Sequence, residues 1–130
     1  MALQLTVVTP EGQAFDAEVE QVVLPGSEGD FGVLAEHERF LTALKPGAVE
    51  IKSTSGSQWA AVSDGFADVS SESVTVLVSR CELSSDLDAA ALSKEVGELE
   101  SALASAADDA RGEIEFQLES ARVRLDVAGR

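Results

Sequence analysis

Residues 23–37 read VLPGSEGDFGVLAEH, and this stretch says more about the fold than any other part of the chain. Three of its glycines follow one another at three-residue spacing, between two apolar pairs, and two acids stand at the centre. Glycine is needed where the backbone φ angle is positive or where two chain segments nearly touch. The spacing therefore predicts a tight, shaped turn between two β-strands, with Glu28 and Asp30 at its tip.

A phosphate-binding loop is the main alternative interpretation of these glycines. Such a loop requires converging N–H groups, usually a lysine, and the N-terminus of a following helix. Here the two acids place negative charge where a phosphate would sit, and the first lysine after the loop is Lys45. The segment that follows, 31–34, is apolar and prone to form a strand. The sequence favours a compact acidic turn on a rigid scaffold, which is a common kind of docking surface.

The amino-acid composition restricts which partners the protein can bind and where in the cell it can be located. The chain has 130 residues, 45% of them hydrophobic, and a formal net charge of −15 shared about evenly between residues 1–80 and 81–130. A surface this acidic repels nucleic acid and anionic lipid, so we expect neither nucleic-acid binding nor direct membrane insertion. The sequence has no basic-then-apolar signal segment and no run of about eighteen apolar residues, so we expect a chain that is neither exported nor membrane-spanning.

The first part of the chain, residues 1–82, alternates apolar and polar residues with a period of two. Residues 3–7, 15–20, 49–52 and 73–78 show the pattern, and turn sequences such as Pro46-Gly47 separate the runs. Many short strands at this spacing are typical of an antiparallel β-sandwich. Because a ten-residue helical pattern follows none of them, a parallel βαβ arrangement is not expected.

The second part, residues 83–130, has a helical period. Ser85 is the predicted N-cap, with Asp86 and Asp88 in the first turn, and Asp108-Asp109 is a possible second N-cap. Apolar residues at steps of three and four form a seam on each helix: Leu92, Val96, Leu99, Leu103 and Ala106, then Ile114, Leu118, Ala121, Leu125 and Ala128. Phe116, Val123 and Val127 form another apolar face on the second helix, which must also be buried. A two-helix hairpin and one continuous rod are both compatible with this sequence.

Few residues could perform chemistry. His37 is the only histidine and Cys81 the only cysteine, so the sequence excludes an internal disulfide and any ordinary zinc site. His37 has acidic neighbours in sequence but no nucleophile arranged with it. Cys81 follows a strand and is expected to be a buried or half-buried structural thiol. We therefore predict a protein without catalytic residues, cofactor or metal.

Several motifs, in this order and spacing, resemble the epsilon subunit of bacterial F-type ATP synthase over nearly the whole chain. They are PGSEGDFGVL (25–34) with His37, LKPG (44–47), and GFADV (65–69) leading into VTVL (74–77). The resemblance implies an α+β fold, in which a ten-stranded β-sandwich precedes a C-terminal helical hairpin. It also implies a non-catalytic subunit of the rotating central stalk, on the cytoplasmic face of the bacterial inner membrane.

The same resemblance implies partners. The acidic turn facing the c-ring corresponds to Glu28, Gly29 and Asp30, followed by Phe31, and the family's histidine near the gamma subunit corresponds to His37. In many members the hairpin opens, reaches the catalytic beta subunit and blocks ATP hydrolysis. Basic residues of the second helix would make that contact: Arg111, Arg122 and Arg124.

The chain departs from the family in one motif. Members that bind ATP on the hairpin have Ile/Leu-Asp-x-x-Arg-Ala in the first helix, whereas this chain reads LDAAAL (87–92), with Ala91 in place of the arginine. A methyl group cannot replace a guanidinium that contacts phosphate. Asp88 and Arg122 remain only as weak candidates, so we predict no tight ATP binding and only weak inhibition of hydrolysis.

Three other interpretations stay open from the sequence. The mitochondrial delta subunit has the same fold and place in its complex. A free-standing β-sandwich module that dimerises through its helices belongs to a different class. An enzyme is the least favoured, because no acid–base pair or activated nucleophile is apparent.

Overall fold

A computed structural model describes residues 3–35 and 39–130, and within them ten strands precede two helices. The strands are β1 (Leu3–Thr9), β2 (Gly12–Val19), β3 (Gln21–Gly26), β4 (Gly29–Leu34), β5 (Phe40–Leu44), β6 (Gly47–Ser53), β7 (Gly56–Val62), β8 (Gly65–Val69), β9 (Ser73–Val78) and β10 (Cys81–Leu83). A short 3-10 turn, Ser84–Asp86, leads to α1 (Ala89–Ser105) and α2 (Asp108–Ala128). The predicted α+β fold, a β-sandwich followed by a helical hairpin, is confirmed.

The strands form a single sheet in the order β10-β7-β6-β3-β5-β8-β9-β1-β2, with β4 paired to β3. All the strand pairs that the structure describes are antiparallel except one: β1 and β9 are parallel, with Leu5 opposite Val74. The sequence pattern predicted an antiparallel sandwich, and at this pair the prediction is wrong. A period of two reports which face a residue occupies but is the same for both strand directions.

The alternating apolar residues fill the interior between the folded sheet's layers. Side chains such as Leu3, Leu5, Val22 and Val74 are fully buried. Among the residues described, no polar or charged side chain is buried with them. Each half-buried strand therefore turns one face inward, as the pattern predicts.

The sequence is compatible with a two-helix hairpin or one continuous rod, and the structure adopts the hairpin. Between α1 and α2, Ala106 and Ala107 have extended backbones, with ψ angles of 145° and 156°. Two consecutive extended residues reverse the chain without any glycine or proline. The seams then pack against one another, with Leu92, Leu118 and Ala121 buried.

Both predicted helix starts are wrong in position. Ser85 lies in the 3-10 turn, and the N-cap of α1 is Asp88, whose carboxylate accepts hydrogen bonds from the N–H groups of Ala90 (3.0 Å) and Ala91 (3.2 Å). Asp88 stabilises the helix start more than Ser85 would, because it satisfies two free backbone N–H groups and the Ser85 side chain makes no capping hydrogen bond to any described residue. Asp108-Asp109 is not the cap of α2 but its first turn, after Ala107, where acids are still favoured by the helix dipole.

The second apolar face of α2 is buried only in part. Val127 is fully buried and α2 contacts β6 and β7, so this end of the helix packs on the sheet. Phe116 is 54% exposed, contrary to the expectation that it would be buried. At the end of the chain, the guanidinium carbon of Arg130 lies 4.2 Å from the ring centroid of half-buried Trp59 on β7, in a cation–π contact.

Candidate partner-binding surface

The acidic turn predicted from the glycines is a two-residue hairpin between β3 and β4. Gly26 pairs with Gly29 at its base, and Ser27 and Glu28 form its tip. The φ angle of Gly29 is +136°, which side-chain-bearing residues rarely adopt. A Cβ on Gly26 would lie 2.6 Å from the carbonyl oxygen of Gly29, so the close approach also requires glycine. The prediction of a tight, shaped turn is confirmed, but Asp30 lies on β4 opposite Pro25 and not at the tip.

Backbone hydrogen bonds fix this turn to the neighbouring strand. The N–H of Ser27 donates to the carbonyl of Ala43 on β5 at 3.1 Å, and the N–H of Lys45 donates to the carbonyl of Pro25 at 2.9 Å. Pro25 is itself fully buried. Glu28 and Asp30 are thus exposed on a backbone that is held at both sides, which is how a rigid scaffold presents charge.

Phe31 connects the turn to the interior. Its side chain is half-buried and packs against the core, and its ring centroid lies 5.7 Å from that of Phe40 in a tilted arrangement. Such aromatic pairs add to the energy of burial. Among the predicted partner-contact residues, Glu28, Gly29 and Asp30 are exposed. Phe31 instead packs against the core and anchors the turn to it. The remaining one, His37, lies outside the described residues.

An exposed apolar patch lies on the outer face of three adjacent strands, and the sequence analysis missed it. Leu41 on β5, Phe66 on β8 and Leu77 on β9 are 68%, 54% and 47% exposed. Phe66 stands opposite Ala43 on one side and Leu77 on the other. We call Leu41, Ala43, Phe66 and Leu77 the apolar face. Leu77 was visible as a break in the alternation of β9, but an isolated break does not reveal its neighbours across strands.

The acidic turn and the apolar face meet in a shallow groove. Its walls come from the turn, residues 26–31, and from Leu41, Thr42 and Ala43 on β5, and its volume is about 530 Å³. A partner that covered the groove would meet carboxylates at one end and hydrocarbon at the other. Exposed apolar side chains grouped in this way are typical of protein–protein contact.

The arginines predicted to act on a partner are all engaged within the hairpin or with the sheet. Arg111 Nη1 donates to the carbonyl of Leu103 at 3.1 Å, and Arg122 Nη2 lies 3.1 Å from Glu100 Oε2. Arg124 contacts Glu82 on β10 and Glu95 on α1. The three side chains thus connect α2 to the preceding elements in this conformation.

The weak nucleotide candidates are not brought together into a phosphate site. Asp88 is occupied as the helix cap, and Ala91 beside it is exposed. The groove that they line, about 410 Å³, also contains Glu82, Asp86 and Glu95, whose charges repel phosphate. Its two arginines, Arg80 and Arg124, are already paired with these glutamates. Arg122 is not among the residues that line it.

Cys81 is half-buried on β10, opposite Val62 of β7, as the sequence predicted for a structural thiol. Burial, with a smaller contribution from the nearby Glu82 carboxylate, raises the pKa of the Cys81 thiol to about 11. Because the folded state favours the neutral thiol, this contribution to stability is present below about pH 9 and is lost as the pH rises through 11.

The raised pKa predicts a slow thiol. At pH 8 the thiolate of Cys81 would be about one part in a thousand, against roughly one part in ten for a cysteine with the ordinary pKa of 9.0. We expect iodoacetamide to alkylate the native chain about 100-fold more slowly than the chain unfolded in urea. Equal rates in the two conditions would contradict the assignment.

The described residues offer neither a membrane-spanning helix nor a metal site. Neither helix is long and apolar enough to cross a bilayer within the part of the chain that the structure covers. Among residues 3–35 and 39–130, no group of three or more His, Cys, Asp or Glu side chains is placed to hold a metal ion.

Comparisons with known proteins agree on one family. Residues 2–84 match the family model described as "ATP synthase, Delta/Epsilon chain, beta-sandwich domain". The chain is 40% identical over 120 residues to the ATP synthase epsilon chain of Rhodopseudomonas palustris, covering 92% of this chain and 84% of that one. It is 33% identical over 135 residues to the epsilon chain of a Synechococcus species, covering 99% and 96%.

Two solved structures of ATP synthases contain chains of similar fold. A chain of the mitochondrial ATP synthase of Euglena gracilis, in a structure described as OSCP, F1 and c-ring, superposes with a TM-score of 0.85 at 25% identity, covering 99% of this chain and 82% of that one. A chain from the central stalk and c-ring of the Tetrahymena thermophila mitochondrial enzyme superposes with a TM-score of 0.61 at 11% identity, covering 97% and 96%. At that identity the second match supports the fold alone.

Proposed function

Since the chain belongs to the ATP synthase epsilon chain family, we propose that it acts as a non-catalytic rotor subunit that binds the gamma subunit and the c-ring. In this role it transmits rotation between ring and shaft and so couples ATP synthesis to proton transport. A subunit with this role would be a peripheral membrane protein on the cytoplasmic face of a bacterial inner membrane. The observation that carries the proposal is the rigid acidic turn joined by one groove to the apolar face.

The two ends of this surface suit different partners. Glu28 and Asp30, on a backbone fixed to β5, would meet polar or basic loops of the c-ring. The apolar face offers hydrocarbon on three strands and suits the flank of a helical shaft such as gamma. The surface also lies on other strands than β6 and β7, where α2 packs, so the docked hairpin leaves the apolar face uncovered.

Capture of the gamma subunit tests the proposal directly. The full-length chain, immobilised, is expected to retain gamma from the same organism at sub-micromolar concentration, and bovine serum albumin serves as the control protein. A variant with Glu28→Gln and Asp30→Asn should retain gamma but lose association with detergent-solubilised c-ring. Failure of the unmodified chain to retain gamma would overturn the proposal.

Regulation of hydrolysis is proposed to be weak. Arg111, Arg122 and Arg124 would have to leave their present partners before they could reach an acidic loop of the beta subunit. Acids surround them on α2, where they would oppose that contact. Deleting the chain from Leu87 onward should raise the ATPase activity of the assembled enzyme only slightly. A large rise would contradict this part of the proposal.

Tight ATP binding is not expected. Ala91 supplies no guanidinium for phosphate, and the Asp88 carboxylate is already engaged with two backbone N–H groups. Isothermal calorimetry should give a dissociation constant weaker than about 1 mM. The variant Ala91→Arg serves as the comparison, because it rebuilds the missing side chain in an otherwise identical protein. Micromolar affinity in the unmodified chain would contradict the prediction.

Two alternative functions, a mitochondrial delta subunit and a free-standing binding module, are less well supported. The mitochondrial delta subunit shares this fold, and the Euglena chain shows that mitochondrial enzymes contain a similar one. The relatives from Rhodopseudomonas and Synechococcus, both named epsilon chains, favour the bacterial assignment. A free-standing module that dimerises through its helices would leave the family resemblance of residues 2–84 without a role.

A further inference from the structure

Two acidic bodies are held together in this chain. Residues 1–82 have thirteen acidic and four basic side chains, and residues 83–130 have eleven and five. The sheet and the hairpin therefore repel one another at long range. Something at their contact must offset that repulsion.

Apolar packing between sheet and hairpin lies outside the continuous core of the sandwich. The residues that form the continuous core of the sandwich all belong to its strands, and none of the described hairpin residues joins that cluster. On the last turns of α2, Val127 is fully buried near β6 and β7, and Arg130 lies over Trp59. An exposed cation–π contact contributes only about 0.5–1 kcal/mol.

The shortest ion pair among the described residues lies where sheet and hairpin meet. Arg124 Nε of α2 lies 2.6 Å from Glu82 Oε1 of β10, and Arg124 Nη2 donates to Glu82 Oε2 at 3.0 Å. Both Nε and Oε1 are shielded from solvent and lack an aligned hydrogen bond, so their attraction is the ionic contact itself. The Arg124 side chain is only 17% exposed.

Two further charges complete the group. Arg124 Nη1 lies 3.4 Å from Glu95 Oε2 of α1, and Arg80 Nε lies 3.1 Å from Glu82 Oε1. We call Arg80, Glu82, Glu95 and Arg124 the Arg124 cluster. Arg124 stands between a carboxylate from the sheet and one from the hairpin, so one side chain of α2 connects three elements, α1, α2 and β10.

We propose that Arg124 is a clasp that sets the balance between a docked and a released hairpin. Without it, Glu82 and Glu95 would face one another with only Arg80 between the two acidic bodies. Loss of Arg124 leaves Glu82 with Arg80 alone and Glu95 without an ion-pair partner among the described residues. Removing one partner of a shielded charge pair is far more damaging than loss of a surface pair. The inference concerns the chain on its own and does not depend on binding of gamma. Only the effect of release on the assembled enzyme would rest on the proposed function.

The test measures release directly. In a Cys81→Ser background, Val127→Cys places a single thiol in the docked contact, and its alkylation rate reports the released population. Arg124→Gln should increase that rate by about 100-fold. The matched control is Arg122→Gln, on the same helix with the same change of charge. Arg122 pairs with Glu100 inside the hairpin and is 57% exposed, so the rate should change by less than about threefold.

A rescue variant separates charge from packing. Replacing Glu95 by Gln together with Arg124→Met leaves Arg80 and Glu82 as the one remaining pair of the cluster, and it should bring the alkylation rate back to within about tenfold of the parent. Far-UV circular dichroism must show an intact sheet in every variant. The proposal is overturned by equal rates for Arg124→Gln and Arg122→Gln, by no recovery in the rescue variant, or by loss of the sheet in Arg124→Gln.

Discussion

Replacing Gly65 by Ala should destabilise the sandwich by about 3 kcal/mol, at the upper end of what overpacking usually costs. Gly65 begins β8 and is paired with Val78 of β9. A Cβ at this position would lie 2.0 Å from the carbonyl oxygen of Leu77 and 2.9 Å from Cγ1 of Val78. The oxygen belongs to the backbone of an interior strand, so it can move away only by distorting the pairing of β8 with β9.

Thermal unfolding followed by circular dichroism measures this effect. A loss of about 3 kcal/mol should lower the melting temperature by roughly 10 °C in a domain of this size. Gly97→Ala, in the middle of α1, is the matched control, because no atom lies within 4 Å of the added methyl group. That change should stabilise the helix by up to about 1 kcal/mol. If both variants melted like the unmodified chain, the assigned close contact at Gly65 would be wrong.

Replacing Phe66 by Glu should weaken binding of the gamma subunit by about 100-fold or more while leaving the fold intact. The side chain is 54% exposed and stands between Ala43 and Leu77 on the apolar face. Burying such a ring against a partner contributes about 1.5–3 kcal/mol, and an interface commonly depends on a few aromatic residues of this kind. A carboxylate in its place would have to be desolvated without a partner.

The chain contains an unusually good control for this experiment. Phe116 on α2 is also 54% exposed, so Phe116→Glu makes the same chemical change at the same exposure on a different surface. Surface plasmon resonance with immobilised gamma should show near-normal binding for the Phe116 variant and a large loss for the Phe66 variant. Equal losses, or none in either, would rule out the apolar face as the gamma-binding surface.

Local constraints are what the sequence expresses most directly. Gly26 and Gly29 could be interpreted correctly because the turn that needs them is made of adjacent residues. The apolar seams of the two helices could be predicted for the same reason, since neighbours on a helix surface lie three and four residues apart in sequence. Cys81 follows the same rule, because its burial is set by the strand on which it stands.

Features that depend on distant residues were missed or left open. The parallel pairing of β1 with β9 joins opposite ends of the sandwich and leaves no trace in a period of two. The apolar face arises only when β5, β8 and β9 are set side by side. The helix start at Ala89 was misplaced because Ser85 and Asp88 are both good caps, and the better one is decided by backbone geometry.

The parallel partnership between the first and ninth strands has a consequence for synthesis. Leu5 remains without its neighbour until Val74 has been added by the ribosome. At a translation rate of roughly 5–20 residues per second, that delay is about 3–14 seconds. During this time β1 has only β2 as a hydrogen-bonded neighbour, and one edge of β1 is unpaired. The nascent polypeptide is therefore vulnerable to aggregation early in synthesis. The strand that ends this period, β9, is the ninth of the ten strands to leave the ribosome.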